Sequence, residues 1–200
     1  MKNAAMAWSR QAGALAGLVY LIMLVSALVL QSDYRLMQHP PALLGAVGVP
    51  GSSWWNMIAQ GACGVLATLA CWQWRERLAH GGAGLCWRLA AMLLLLSALA
   101  FAALGLLPLD PGLELDEGPN RLHIAAWMLW WIAFAAASGL AAAAAWPARR
   151  ALGAVLLALA IPSLLYAPVP IGTGTRQLGV LLAWFTCLAA LPRPPKSPQP

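Results

Sequence analysis

Apolar residues run through this chain in six long blocks separated by short polar stretches. The blocks are Ala12 to Leu30, Trp54 to Trp74, Leu89 to Leu107, Leu122 to Trp146, Ala151 to Ala167 and Gln177 to Leu191. As a helix, the third block alone would be roughly 28 Å long, enough to cross the hydrocarbon core of a bilayer. Tryptophans stand at both ends of the second block (Trp54, Trp55, Trp72, Trp74), where headgroup-level anchors belong. The pattern predicts an all-α fold, a polytopic membrane bundle of six transmembrane helices in one domain over residues 1–192. The proline-rich basic stretch 193–200 is expected to be a disordered cytoplasmic tail.

The first block follows Lys2 and Arg10 and so resembles a signal peptide, with Val25-Ser26-Ala27 as a weak cleavage motif. It is longer than a signal core and looks like the later blocks, so it reads as a retained helix. Gly13 and Gly17 on one of its faces permit close helix approach. Pro162 should kink the fifth helix. Between the first two blocks lies Gln31 to Ser53, with Gly45, Gly48 and Gly51 around Pro50. No strand precedes these glycines and no GK[ST] follows, so they do not make a phosphate loop. A tight, partly re-entrant loop lying over the bundle is expected.

Composition agrees with lipid as the solvent. Hydrophobic residues make up 62% of the chain and charged residues 9%, against about 25% charged in soluble domains. The net charge of +6 is explained by where the charges fall. Nine Lys or Arg (Lys2, Arg10, Arg75, Arg77, Arg88, Arg149, Arg150, Arg193, Lys196) lie on the side holding both termini, and three (Arg35, Arg121, Arg176) on the other. Basic residues stay on the cytoplasmic side. Both termini are therefore expected in the cytoplasm of a multi-pass inner-membrane protein, and no nucleic-acid partner is implied. The four cysteines have no CxxC spacing and read as small apolar packing residues.

Candidate chemistry concentrates in one place. The stretch Leu106 to His123 holds four of the six carboxylates, Asp110, Glu114, Asp116 and Glu117, and closes on Arg121 and His123. No Asp, Glu, Lys, Arg or His falls in the middle of a block, which argues against an ion-coupled transporter. The polar residues within the blocks, such as Ser26, Gln60, Ser97 and Ser138, read as packing or interhelical hydrogen-bonding groups. At the outer ends of the helices, Asp33, Arg35, Asn56, Asp110, Arg121, His123 and Arg176 should come within reach of one another. Arginines at an apolar rim suit an anionic headgroup, because the guanidinium fork binds phosphate or carboxylate in bidentate fashion. The plainer alternative is that Asp110–Arg121 and Asp33–Arg35 are rim salt bridges that pin the loops. His123 with Asp110 as orienting partner would be a general base; alternatively, His123 caps its span by bonding a loop carbonyl. No metal-ligand spacing joins the three histidines to carboxylates, no GxSxG occurs, and no cofactor is implied.

Three short motifs in order, Pro108-x-Asp110 after the third block, His123 opening the fourth and Gly174-x-Arg176 opening the sixth, resemble the domain-of-unknown-function 998 family of prokaryotic six-helix membrane proteins. The resemblance runs from Ala12 to Leu191. It implies Pro108, Asp110, His123, Gly174 and Arg176 as motif positions and brings no activity with it. Leu107 departs from the family pattern, in which an aromatic often precedes the proline. Residues and resemblance together lead to an integral inner-membrane protein that binds a lipid headgroup or small polar ligand at its outer face. A lipid hydrolase or transferase using His123 and Asp110, and a structural subunit, are the alternatives. Membrane lipids are the expected partners, with a membrane-protein partner or homo-oligomer possible.

Overall fold

The computed structural model describes residues 2–146, 150–164 and 173–191. The described residues are helical, with turns and no strand. α1 is Lys2–Leu30. α2 is a continuous rod made of Ser52–Trp54, a π-helical stretch Trp55–Ala62 and Cys63–His80. α3 is Leu85–Leu104, α4 Gly118–Ala145, α5 Arg150–Leu164 and α6 Thr173–Ala189. A short 3-10 turn, Pro41–Gly45, lies in the loop after α1. Each apolar block contains a helix, but the boundaries differ from the hydropathy limits. α2 continues past Trp74 to His80, which shortens the basic loop to a tight turn at 81–84. α4 begins at Gly118, with Pro119 in its first turn, where a missing N–H is no loss. The turn at 147–149 and the tail from 193 lie outside the described residues.

Contacts follow chain order, α1 on α2, α2 on α3, α3 on α4, α4 on α5 and α5 on α6, and α6 closes the ring against α1. The tight turn at 81–84 makes α2 and α3 antiparallel neighbours. The centre of the ring is filled by aromatic rings from five helices. Phe101 of α3 lies 4.7 Å from Trp184 of α6 and 5.5 Å from Trp130 of α4, between ring centroids. Tyr20 of α1 continues the cluster to Phe185 of α6 at 5.1 Å and to Trp55 of α2 at 5.5 Å. Trp130, Trp184, Phe101 and Phe134 are essentially fully buried. Edge-on and tilted pairs of this kind are favourable beyond their burial.

Small residues let the helices close around that centre. A Cβ on Gly64 of α2 would run into the backbone of Ala102 in α3, and one on Gly13 of α1 would come within 2.6 Å of the Leu188 carbonyl oxygen of α6. Gly17 faces Phe185 in the same seam. The Gly13–Gly17 pair therefore closes the ring within the chain. Ser97 Oγ donates to the Trp130 carbonyl at 2.8 Å, the interhelical hydrogen bond expected of a polar residue in a span.

The exterior is as apolar as the interior. Leu18, Ile22, Val25 and Val29 of α1, Val65 and Leu69 of α2, Met92 and Leu99 of α3, Ile132 of α4, Val155 of α5 and Leu182 of α6 are all exposed. Aliphatic surface of this extent is a membrane surface, not a soluble one. Three helices, Gln11–Leu30, Leu85–Leu104 and Gly118–Ala145, are long and apolar enough to cross a membrane by length and composition. Exposed tryptophans Trp54 and Trp72 stand at the start of α2 and about two turns before its end at His80, about 27 Å apart along a helix.

The close approach of α2 and α3 predicts that Gly64→Ala lowers the stability of the detergent-solubilised protein by about 1–3 kcal/mol, the usual result of overpacking. Gly139 has open space around its Cβ position. Gly139→Ala should therefore leave stability unchanged or raise it by up to about 1 kcal/mol. Thermal unfolding of the two variants side by side checks the pair.

Candidate functional site

The two long loops and the start of α6 form one cap at one end of the bundle. The first loop turns at Gly48 and Gly51, whose φ values of 84° and 79° favour glycine. It packs Pro41, Leu44, Gly45 and Ala46 against the bundle, as a loop lying over the bundle should. Its backbone is fastened to α6 by neutral side chains. Thr173 Oγ1 donates to the Gln38 carbonyl at 2.8 Å, Thr175 Oγ1 to the Met37 carbonyl at 3.3 Å, and the Ala42 N–H donates to Gln177 Oε1 at 3.3 Å. Gly174 lets the loop lie flat, because a Cβ there would collide with the Leu36 and His39 carbonyl oxygens. The Val47 N–H donates to the Leu109 carbonyl at 2.8 Å and joins this loop to the acidic one.

Asn120, 1% exposed, organises the acidic loop. Its Oδ1 accepts the Asp110 N–H at 2.7 Å, while Nδ2 donates to the carbonyls of Asp110, Leu113 and Glu114 at 2.8, 3.1 and 3.2 Å. One amide thus satisfies both sides of the Asp110 peptide and two further carbonyls. The sequence reading passed over Asn120 because it carries no charge. The available signal was its place in the first turn after Gly118-Pro119, where asparagine characteristically bonds local backbone.

The residues singled out from the sequence occupy this cap as follows. His123 is buried, and its Nδ1–H donates to the Leu107 carbonyl at 2.6 Å. That is the capping arrangement, and it leaves Nε2 as the other functional atom of the ring. Asp110 is half-buried, and its Oδ1 accepts the Gly112 N–H at 2.9 Å in a local turn. The two side chains thus have separate partners and do not form a hydrogen-bonded dyad. Asp33, Arg35 and Arg121 are exposed, and Arg176 is half-buried. Between Asp33 and Arg35, Tyr34 turns inward and donates its hydroxyl to the His39 carbonyl at 2.8 Å. Burial pushes the Tyr34 phenol above its ordinary value, so it remains a donor at neutral pH. Asn56 is buried and donates through Nδ2 to the Gly45 carbonyl at 2.8 Å. The Asp110–Arg121 and Asp33–Arg35 salt bridges are not formed. Among the described residues the Arg75–Glu76 ion pair, at 2.7 Å, lies at the opposite end. Hydrogen bonds from neutral side chains to backbone pin the loops in their place.

Among the described residues no three His, Cys, Asp or Glu side chains are grouped as a metal site. The cysteines are free; Cys63, Cys71 and Cys187 are buried as packing residues, whereas Cys86 is exposed. The cap thus carries exposed charged residues, Asp33, Arg35 and Arg121, on hydrogen-bonded loops, and one buried, oriented imidazole, His123.

An all-helical bundle with an apolar exterior and a polar, loop-built cap defines a helical membrane protein. The chain belongs to the family described as protein of unknown function (DUF998), whose model matches residues 14–192. No curated protein and no solved structure matches it.

Because one amide holds four backbone groups, Asn120→Asp should loosen the acidic loop. The carboxylate keeps the bond to the Asp110 N–H but faces three carbonyls it cannot donate to. Amide hydrogen exchange over residues 110–117 should accelerate, with a stability loss of about 1–3 kcal/mol. Exchange as slow as in the wild type would mean that the loop is held by other groups.

Proposed function

We propose that this protein is a six-span inner-membrane protein with both termini in the cytoplasm, and that its outer cap recognises the headgroup of an anionic lipid. The charge distribution supports the orientation. By chain order, six spans put nine basic residues on the side of the termini and three on the other, as positive-inside placement requires. At the inner end Arg75 pairs with Glu76, the one acid there, and lies 5.1 Å over the Trp72 ring, a combination suited to the headgroup layer.

The observation that carries the lipid reading is an apolar groove of about 300 Å³ in the seam between α1 and α6. Gly17, Leu18, Leu21, Leu182 and Phe185 are among its lining residues. A second helix, about 10–12 Å across, is too wide for such a space, whereas an acyl chain is not. On α6 the lining begins at Leu178, two residues beyond Arg176. A chain lying in the groove would therefore bring its phosphate toward the Arg176 end of α6, with Arg35 and Arg121 on the same rim. Binding is favoured over hydrolysis because His123 and Asp110 are each committed to backbone partners.

Labelling and lipid retention test the two halves of this reading. In intact cells an impermeant thiol reagent should modify Cys introduced at Glu114 and leave Cys introduced at Gly82 unmodified, both in a background lacking the native cysteines. Native mass spectrometry of gently solubilised protein should show an anionic lipid on the wild type, depleted about tenfold or more in Arg176→Ala, equivalent to a loss of about 1.4 kcal/mol. Reversed labelling would overturn the orientation, and equal lipid retention would remove Arg176 from the site.

A further inference from the structure

The seam between α1 and α6 has a register set by two glycines. Gly13 faces Leu188 and Gly17 faces Phe185, so the two helices run antiparallel. The cap lies where α1 ends and α6 begins, since Thr173 and Thr175 bond the loop that follows α1. The seam is tighter far from the cap. A Cβ on Gly13 would come within 2.6 Å of the Leu188 carbonyl oxygen, whereas one on Gly17 would meet Phe185 Cβ at 3.2 Å.

The groove in this seam sits deep. The membrane-length part of α1 is Gln11–Leu30, so its middle falls at Tyr20 and Leu21. On α1 the groove is lined from Ala14 to Leu21, that is, from near the far end of the span up to its middle. On α6 the lining runs from Leu178 to Ala189, the last residue of the helix. Leu178, Leu181 and Leu182 line the part nearer the cap, and the far part includes the small residues Ala14, Gly17 and Ala189. From Arg176 to Ala189 α6 rises roughly 20 Å, against about 15 Å for one hydrocarbon leaflet.

A lipid held by its phosphate at Arg176 cannot fill this groove with a chain that stays in its own leaflet. We propose that the groove takes a chain that crosses the bilayer midplane, so that the anionic lipid bound at the cap is a long-chain one. The proposal rests on the reading of Arg176 as the headgroup contact. Within a bilayer, contact and not the hydrophobic effect favours association. A short chain leaves the far part of the groove unfilled and forfeits the dispersion contacts there. A lipid of the opposite leaflet is the second source of a chain at this depth. It would have to enter at Gly13, where the seam is tightest.

Native mass spectrometry of the full chain with equal amounts of dilauroyl- and distearoyl-phosphatidylglycerol tests this. The two lipids share a headgroup and differ in chain length alone. The wild type should retain the distearoyl lipid in preference by about fivefold or more, because each further methylene in the groove adds contacts. Ala14→Phe, at an exposed position, fills the far part and should bring the ratio close to unity. Arg176→Ala should deplete both lipids alike. Equal retention of the two lipids by the wild type would overturn the proposal whether or not the Ala14 variant folds, and it would leave the headgroup reading standing if Arg176→Ala still depletes both. A preference undiminished in Ala14→Phe would place the chain elsewhere and overturn the proposal too. Retention untouched by Arg176→Ala, with the preference lost in Ala14→Phe, would assign the groove to a lipid of the opposite leaflet and overturn both readings.

Discussion

A chain apolar on both its inside and its outside has no water to turn to along most of its length, so its polar groups must find partners within the protein. That constraint shapes what is seen here. Along the spans the helices satisfy their own backbone. At the capped end, where the chain leaves helical geometry, the backbone needs other partners. They come from amides and hydroxyls: Asn120 for the acidic loop, Thr173, Thr175 and Gln177 for the first loop, Tyr34 for its turn and Asn56 for the 3-10 segment. Charged side chains are left to the rim, where desolvation is least.

Helix packing answers the same constraint from the apolar side. Lipid offers no hydrophobic driving force between helices, so association depends on close contact and a few interhelical hydrogen bonds. Gly13, Gly64 and Gly105 remove the atoms that would hold the helices apart. The Phe101, Trp130 and Trp184 cluster fills the middle of the ring that results. The π-helical turn of α2 is where the two arrangements meet. Gly45 and Gly105 bring the loop and α3 against it, and Trp55, Asn56 and Gln60 keep polar atoms facing inward there.

Hydropathy alone located the helices of this fold because apolar blocks of span length leave few alternatives. It misplaced their ends because polar first and last turns, as at Thr173 to Gln177 and Arg75 to His80, are helical without being apolar. The cap was legible as a place but not as a mechanism. Charge drew the sequence reading to Asp110 and Arg121, whereas Asn120 between them does the fastening. A neutral amide among four carboxylates has no compositional signature; its role follows from where the chain turns. The pairing of His123 with Leu107 instead of Asp110 likewise depends on the exact descent of the loop after α3, which no spacing rule encodes. The π geometry of α2 left no trace in hydropathy, since it alters the winding of the helix and not which residues are apolar.

The exposed aliphatic surface of the bundle is read throughout as facing lipid. Spin labels placed one at a time at Leu15, Leu18, Ile22, Val25 and Val29 along the exposed face of α1, in reconstituted bilayers, test it most directly. A lipid-facing α1 should show high accessibility to oxygen and low accessibility to a water-soluble nickel reagent at Leu18, Ile22 and Val25, with the nickel reagent gaining access toward the two ends of the span. Ready access of the nickel reagent to all five positions would contradict it.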